Sequence, residues 1–212
     1  EDYTRIASLF QPEQLVKYGE LCLRENEIAY ADPGFFRLFD FELLKGDRAS
    51  CLSMPGQVVI TERIARKYFR DEEPMGKILV FNSNIGKVSC EVTGVMKEMP
   101  SNSHIHYNFL LSYKSLPKWV QEYWYKHETY TYVLLDSRER KEEIERAIPG
   151  KAEKYKTEEA LKNKTWGVRL VPLEDIHLTP QLGYEAEQKG NRSAIIALVF
   201  AAVAILVISR FT

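Results

Sequence analysis

Apolar positions in this chain change their spacing from one segment to the next, and each change marks an expected element. Residues 4–10 and 13–18 are short strand candidates separated by Gln11-Pro12, and residues 22–30, with polar and apolar positions mixed, form a third. Asp32-Pro33-Gly34 is a turn by composition. Phe35, Phe36, Phe39 and Phe41 are then spaced to seat about one helical turn in a core, which ends at Gly46-Asp47. A strand is expected at 57–60, and Thr61 stands where it would cap a helix that turns Ile64, Ala65, Tyr68 and Phe69 to one face. The run 71–76 breaks that helix. Residues 77–81 and 87–95 flank Asn82-Ser83-Asn84-Ile85-Gly86 as the arms of a hairpin. After a loop at 100–103, apolar residues resume at 105–113, and Tyr130, Tyr132, Val133 and Leu135 mark a strand over 129–135.

The second half is more charged. A helix is expected from Ser137 to Pro149-Gly150, a Lys- and Glu-rich one over 151–164, whose charge reads as a solvated face, and a last strand over 166–173. The polar stretch 179–191 leads to an uninterrupted apolar run at 194–208. Those fifteen residues would span roughly 22 Å as a helix, about one turn short of the about 20 residues that cross a bilayer. Ser193, Ser209 and Phe211 extend the run, and Arg192 and Arg210 sit where cationic side chains snorkel to an interface. We read 193–212 as a transmembrane helix cut near its far end. The alternative, a buried core helix, would need burial around its whole circumference, because no polar stripe recurs at helical period.

Composition adds bounds. The chain has 212 residues, 45% hydrophobic and 12% aromatic, with 11 glycines, which fits a folded α+β body and not a disordered chain. Its formal net charge of −1, with no basic stripe, gives no footprint for nucleic acid. Cys22, Cys51 and Cys90 are too far apart for a zinc motif or a disulfide framework. The chain opens at Glu1 with neither a methionine nor a signal pattern, and reads as a piece of something longer.

Chemical motifs are weak. Gly76-Lys77 lacks the earlier glycine of a phosphate loop, and Ile78 replaces its Ser or Thr. His104 and His106 would share a face if their segment were a strand, as two metal ligands might be arranged, but no third ligand is evident and loop anchoring explains both. His127 and His177 are isolated. Glu72-Glu73 and Glu174-Asp175 fall in turns without a positioned partner, and Ser53 and Ser103 lack a nucleophile elbow. Trp119, Tyr123, Trp124 and Tyr125 are either a contact surface or core, and core is the simpler reading. No catalytic, cofactor-binding or metal-binding residue is therefore expected.

Several segments together carry a family resemblance. Ala31-Asp32-Pro33-Gly34-Phe35-Phe36 with Phe39 and Gly46, then Val58-Val59-Ile60-Thr61-Glu62, Ala65, Tyr68-Phe69 and Asp71-Glu72-Glu73-Pro74-Met75-Gly76-Lys77, follow in order. Val92-Thr93-Gly94-Val95, Pro100-Ser101-Asn102-Ser103-His104, Leu173-Glu174-Asp175-Ile176-His177-Leu178 and Gly190-Asn191 complete the series over about 160 residues. In these the chain resembles the extracytoplasmic domain of MacB-type and FtsX-like ABC transporter permeases, the MacB-like periplasmic core domain. Three departures stand out. Arg70 occupies a place where the family carries glycine, which marks the turn after that helix as the place for a local difference. The family's longer membrane helix does not continue after Ile208, and the membrane and amphipathic helices that would precede Glu1 are missing.

The resemblance implies an α+β fold: a porter-like βαβ subdomain from 1–31 and 105–190, a smaller inserted α+β, sabre-like subdomain at 32–104, and the start of a transmembrane helix at 193–212. Within it Gly76 and Gly94 are expected where a side chain would clash or φ is positive, Pro74 and Pro100 where elements stop, and Asn102 and Ser103 as loop anchors. The implied role is that of a permease subunit's ectodomain, not an enzyme and without cofactors, relaying ATP-driven conformational change across the membrane for export or mechanotransmission. Implied partners are an ABC ATPase subunit, a second permease copy in a homodimer or heterodimer, and a periplasmic adaptor or exported substrate. The implied location is the periplasmic side of the bacterial inner membrane. A membrane-tethered ligand- or partner-binding module is the competing reading. An enzyme would instead show a strongly perturbed titratable group in a cleft.

Overall fold

A computed structural model describes residues 2–8, 13–121, 129–152 and 168–178. The chain divides into two compact units, 1–166 and 167–212. Among the described residues the first contains ten strands: β1 (Asp2–Ala7), β2 (Gln14–Tyr18), β3 (Leu21–Glu25), β4 (Ile28–Ala31), β5 (Leu43–Gly46), β6 (Gln57–Thr61), β7 (Ile78–Ser83), β8 (Gly86–Met96), β9 (Phe109–Ser112) and β10 (Thr129–Leu134). Its helices are α1 (Phe35–Leu38), α2 (Glu62–Phe69), α3 (Lys118–Gln121) and α4 (Glu139–Ala152). The α+β expectation holds.

All ten strands join one mixed sheet in the order β10-β1-β4-β9-β6-β8-β7-β2-β3, with β5 paired to the end of β8. The β4/β9 and β6/β8 pairs are parallel and the others antiparallel. Central strands β4 and β9 are buried at every position, which is why they read as continuous apolar runs without alternation. Their side chains divide between two cores. Ile28, Tyr30, Val58, Ile60, Phe109 and Leu111 face one, with Ile64, Tyr68 and Phe69 of α2 packed onto them. Ala29, Ala31, Val59 and Leu110 face the other, beneath Phe35 and Phe36 of α1. Phe35, Phe39 and Phe41 touch ring to ring there, and Tyr132 of β10 meets Phe39 edge-on at 5.0 Å.

Three expectations need correction. The candidate strand at 22–30 is two strands, because Glu27 has φ +56° and breaks the extended path. Within the apolar segment 105–113 the strand is Phe109–Ser112, and just before it the backbone N–H of Asn108 donates to the Glu27 carbonyl. Helix α4 runs through Pro149-Gly150 to Ala152, past a proline that would ordinarily stop it. In the second unit, 168–172 form no strand and Leu173–Leu178 is a 3₁₀ helix. Pro172 lacks a ladder donor, and its carbonyl accepts from Asp175 N–H in a turn.

The hairpin is confirmed with a tighter loop: Ser83 pairs with Gly86, leaving Asn84 and Ile85 between. Strand β5 had no sequence expectation. Most of the expected helix at 151–164, and the whole expected transmembrane segment, lie outside the described residues. Among the described residues no helix is long and apolar enough to cross a membrane.

Candidate functional site

The residues that carry the family pattern act as backbone clamps. Asp32, at the end of β4, accepts from the backbone N–H and Nε of Arg5 with one carboxylate oxygen (3.0 and 2.7 Å) and from its Nη2 with the other (3.0 Å). The guanidinium also lies 4.0 Å above the Tyr113 ring, a cation–π contact. The bond to Asp32 raises the Arg5 pKa further. The carboxylate thus ties the end of β4 to β1, and the guanidinium it holds reaches the segment after β9. Two residues on, a Cβ at Gly34 would lie 2.5 Å from the Tyr3 carbonyl oxygen, so only glycine lets α1 start against β1.

A second clamp closes both ends of α2. Thr61 Oγ1 accepts from Ile64 N–H at 3.4 Å, the expected N-cap. At the other end Phe69 C=O accepts from Glu72 N–H at 2.9 Å, and Arg70 between them has φ 55° and ψ −113°. Those angles mirror the first central position of a type II turn, a type II′ geometry that calls for glycine. The turn therefore takes a glycine shape with arginine in it, not an alternative route.

Gly76 has φ +79°. Gly94 lacks room for a side chain, since a Cβ there would approach Val59 Cγ2 to 3.0 Å and Leu43 Cδ1 to 3.2 Å. Both glycine expectations hold. Ser103 Oγ accepts from Ile105 N–H at 3.0 Å and so anchors its loop.

Sequence reasoning missed a polar network beside α2. Glu25, 5% exposed, accepts from Tyr68 Oη at 2.8 Å and pairs with Lys67 Nζ at 2.7 Å. Burial, and then the bond to Glu25, raise the Tyr68 pKa, so the phenol stays a donor. Nearby, Asn108 Nδ2 donates to Glu27 (2.6 Å) while its Oδ1 accepts from Arg63 (2.6 Å), which also reaches Glu98. These partners lie 35 to 81 positions apart in sequence, beyond any local signal. The network fixes α2 to the starts of β4 and β9.

The candidate chemical residues do not converge. His104 Nε2 is 3.2 Å from Tyr132 Oη and its ring packs on Phe39. Residues 104 to 107 form no strand, so the shared face expected for His104 and His106 is not formed. Glu72 and Glu73 pair with Lys77 and Lys45, which hold both carboxyls below their usual range. Ser53 Oγ donates to the Ser50 carbonyl. Among the described residues no group of three His, Cys, Asp or Glu could hold a metal. Trp119 is 51% exposed, against the core reading, because α3 is one turn long and buries none of its side chains fully. His127, Tyr123, Trp124 and Tyr125 lie outside the described residues.

Two solved structures share the fold. A domain of a candidate permease protein from Porphyromonas gingivalis superposes with a TM-score of 0.61 at 24% identity, over 75% of this chain and 72% of that one. The periplasmic region of MacB from Actinobacillus actinomycetemcomitans gives 0.53 at 15% identity, over 71% and 66%. No curated protein matches. The sequence model of the MacB-like periplasmic core domain matches residues 3–151, a span holding every clamp described above. The chain belongs to the MacB-like periplasmic core domain family.

Proposed function

We propose that this chain is the extracytoplasmic domain of an ABC permease subunit, and that it passes ATP-driven conformational change from the membrane to the far side for export or mechanotransmission. The observation that carries the reading is the single sheet through all ten strands, braced where the family pattern falls: Asp32 on Arg5, Gly34 against Tyr3, Gly94 between Val59 and Leu43. A relay must move as a body, and packed interiors transmit displacement because they deform little. The chain's own residues supply stiffness; an ATPase subunit supplies the energy.

The same proposal keeps the division into a porter-like part, 1–31 and 105–190, and an insertion at 32–104. Strands β4 and β9, which flank that insertion, lie side by side in parallel, so the inserted segment crosses from the end of β4 back to the start of β9. The apolar run at 194–208 is the proposed route into the inner membrane. A permease homodimer or heterodimer, an ABC ATPase subunit and an external adaptor or cargo are the proposed partners.

The test is purification of the full-length protein from detergent-solubilised membranes. A stoichiometric, nucleotide-hydrolysing partner, or a fused ATPase domain, is expected. A lone protein with neither would remove the proposal. The competing reading, a tethered binding module, draws on the half-exposed Trp119 and predicts a single membrane helix in the full-length protein.

A further inference from the structure

The four-stranded antiparallel stretch β8-β7-β2-β3 has α2 and the first core on one side. The opposite side carries ten outward side chains, fixed by register. Lys87, Asn82, Leu15 and Arg24 form one row across the strands, and Ser89, Val80, Lys17 and Cys22 the next, with Ile78 beside Glu91 beyond. Leu15 and Ile78 are 43% and 48% exposed, and Val80 is half-buried between them. Around these aliphatics stand three cations, Lys17, Arg24 and Lys87, against two carboxylates, those of Glu13 and Glu91. Arg24 is matched by Glu13 at 3.1 Å; Lys17 and Lys87 have no ion-pair partner among the described residues. The chain as a whole is at −1, so this positive, aliphatic face is a local feature and not the average surface.

We infer that this face docks an acidic amphipathic helix of a partner protein, its aliphatic stripe on Leu15, Val80 and Ile78 and its flanking carboxylates on Lys17 and Lys87. The contact is to the face of a sheet whose other face already carries a helix, and a helix on each face is one of the layer packings a sheet admits. A second copy of the same face is disfavoured, because its cations would meet cations. The inference goes beyond the relay and stands whether or not an ATPase drives the chain.

The test uses the 212-residue chain in phosphatidylcholine nanodiscs and a synthetic helix of about five turns with a leucine stripe flanked by glutamates. Its counterpart has lysines in place of the glutamates, and anisotropy reads binding. The acidic helix is expected to bind, more weakly as salt rises past the range where charges are screened, and the basic one not to. Lys17→Glu with Lys87→Glu should weaken binding at least about tenfold. Lys17→Arg with Lys87→Arg should keep it, as should Arg66→Glu on α2, on the other side of the sheet. Equal binding of both helices, or binding unaffected by the folded double charge reversal, would overturn the inference. So would binding to phosphatidylglycerol nanodiscs that depends on these lysines with no binding of the acidic helix. If the reversal variant does not fold, the salt series and the two-helix comparison on the parent chain decide.

Discussion

Replacing Arg70 with glycine should stabilise the protein, and the size of the gain follows from the turn after α2. Arg70 is held at φ 55° and ψ −113° by the Phe69–Glu72 hydrogen bond. A side chain in such a region costs on the order of 1–3 kcal/mol. Arg70 is exposed, and among the described residues its guanidinium has no hydrogen bond or ion pair to lose. Glycine relieves the Cβ clash but gives the unfolded chain more freedom, which returns about 0.5–1 kcal/mol. The net gain is about 0.5–2 kcal/mol, or roughly 1–8 °C in melting temperature for a domain of this size. Urea unfolding at 25 °C with circular dichroism gives the number directly as a shift in midpoint at constant slope. Arg70→Ala is the control, because it removes the guanidinium and keeps Cβ. It should fall within about 0.5 kcal/mol of the parent. A glycine variant no more stable than the alanine variant would refute the strained-turn argument.

Asp32→Ala leaves the partly buried Arg5 without its bidentate partner and should cost about 2–3 kcal/mol in the same assay; a loss under 0.5 would show that the clamp contributes nothing. Gly34→Ala forces Cβ onto the Tyr3 carbonyl and should cost about 1–3 kcal/mol, with equal stability as the contrary result. Burial pushes the Cys51 thiol up to about 11 and that of Cys90 up to about 12, from the ordinary thiol value of about 9. Only the exposed Cys22 should then react quickly with a disulfide reagent at neutral pH, and all three in urea; two fast thiols in the native protein would contradict the buried positions. The same shifts fix a pH dependence. Both thiols are raised on folding, so their contribution is complete below pH 9 and is lost as pH rises towards 11–12. Urea midpoints should fall over that range, and fall less in Cys90→Ala measured against its own value at pH 8.

Much of the central architecture was legible because one local rule set each element. Thr61 precedes a helix with Ile64, Tyr68 and Phe69 on one face, and the hairpin strands are long and β-rich around a polar turn. The family pattern was legible too, since glycines, prolines and capping residues mark backbone geometry. Long-range pairings were not. Glu25 reads like any solvated acid until Tyr68 and Lys67 fold over it, and Asn108 reads like a loop residue until Glu27 bends the chain towards it. Strand β5 is four residues long and mostly exposed, ordered by the end of β8 and by Gly46 at φ +99° against the Thr93 carbonyl. Its own sequence has no alternation to read. Trp119 misled for a related reason: aromatic residues signal burial on average, and a one-turn helix does not have to bury them.

The central claim is that this body moves as one piece when an ATPase works on the other side of the membrane. Double electron–electron resonance on the full-length protein in nanodiscs, with native cysteines replaced, measures this directly. One label pair joins Lys87 and Thr131, within one sheet; the other joins Lys87 to its equivalent in a second permease copy. ATP bound without hydrolysis should shift the distance between copies and leave the distance within the sheet unchanged. A fixed distance between copies, or a change confined to the sheet itself, would contradict the account.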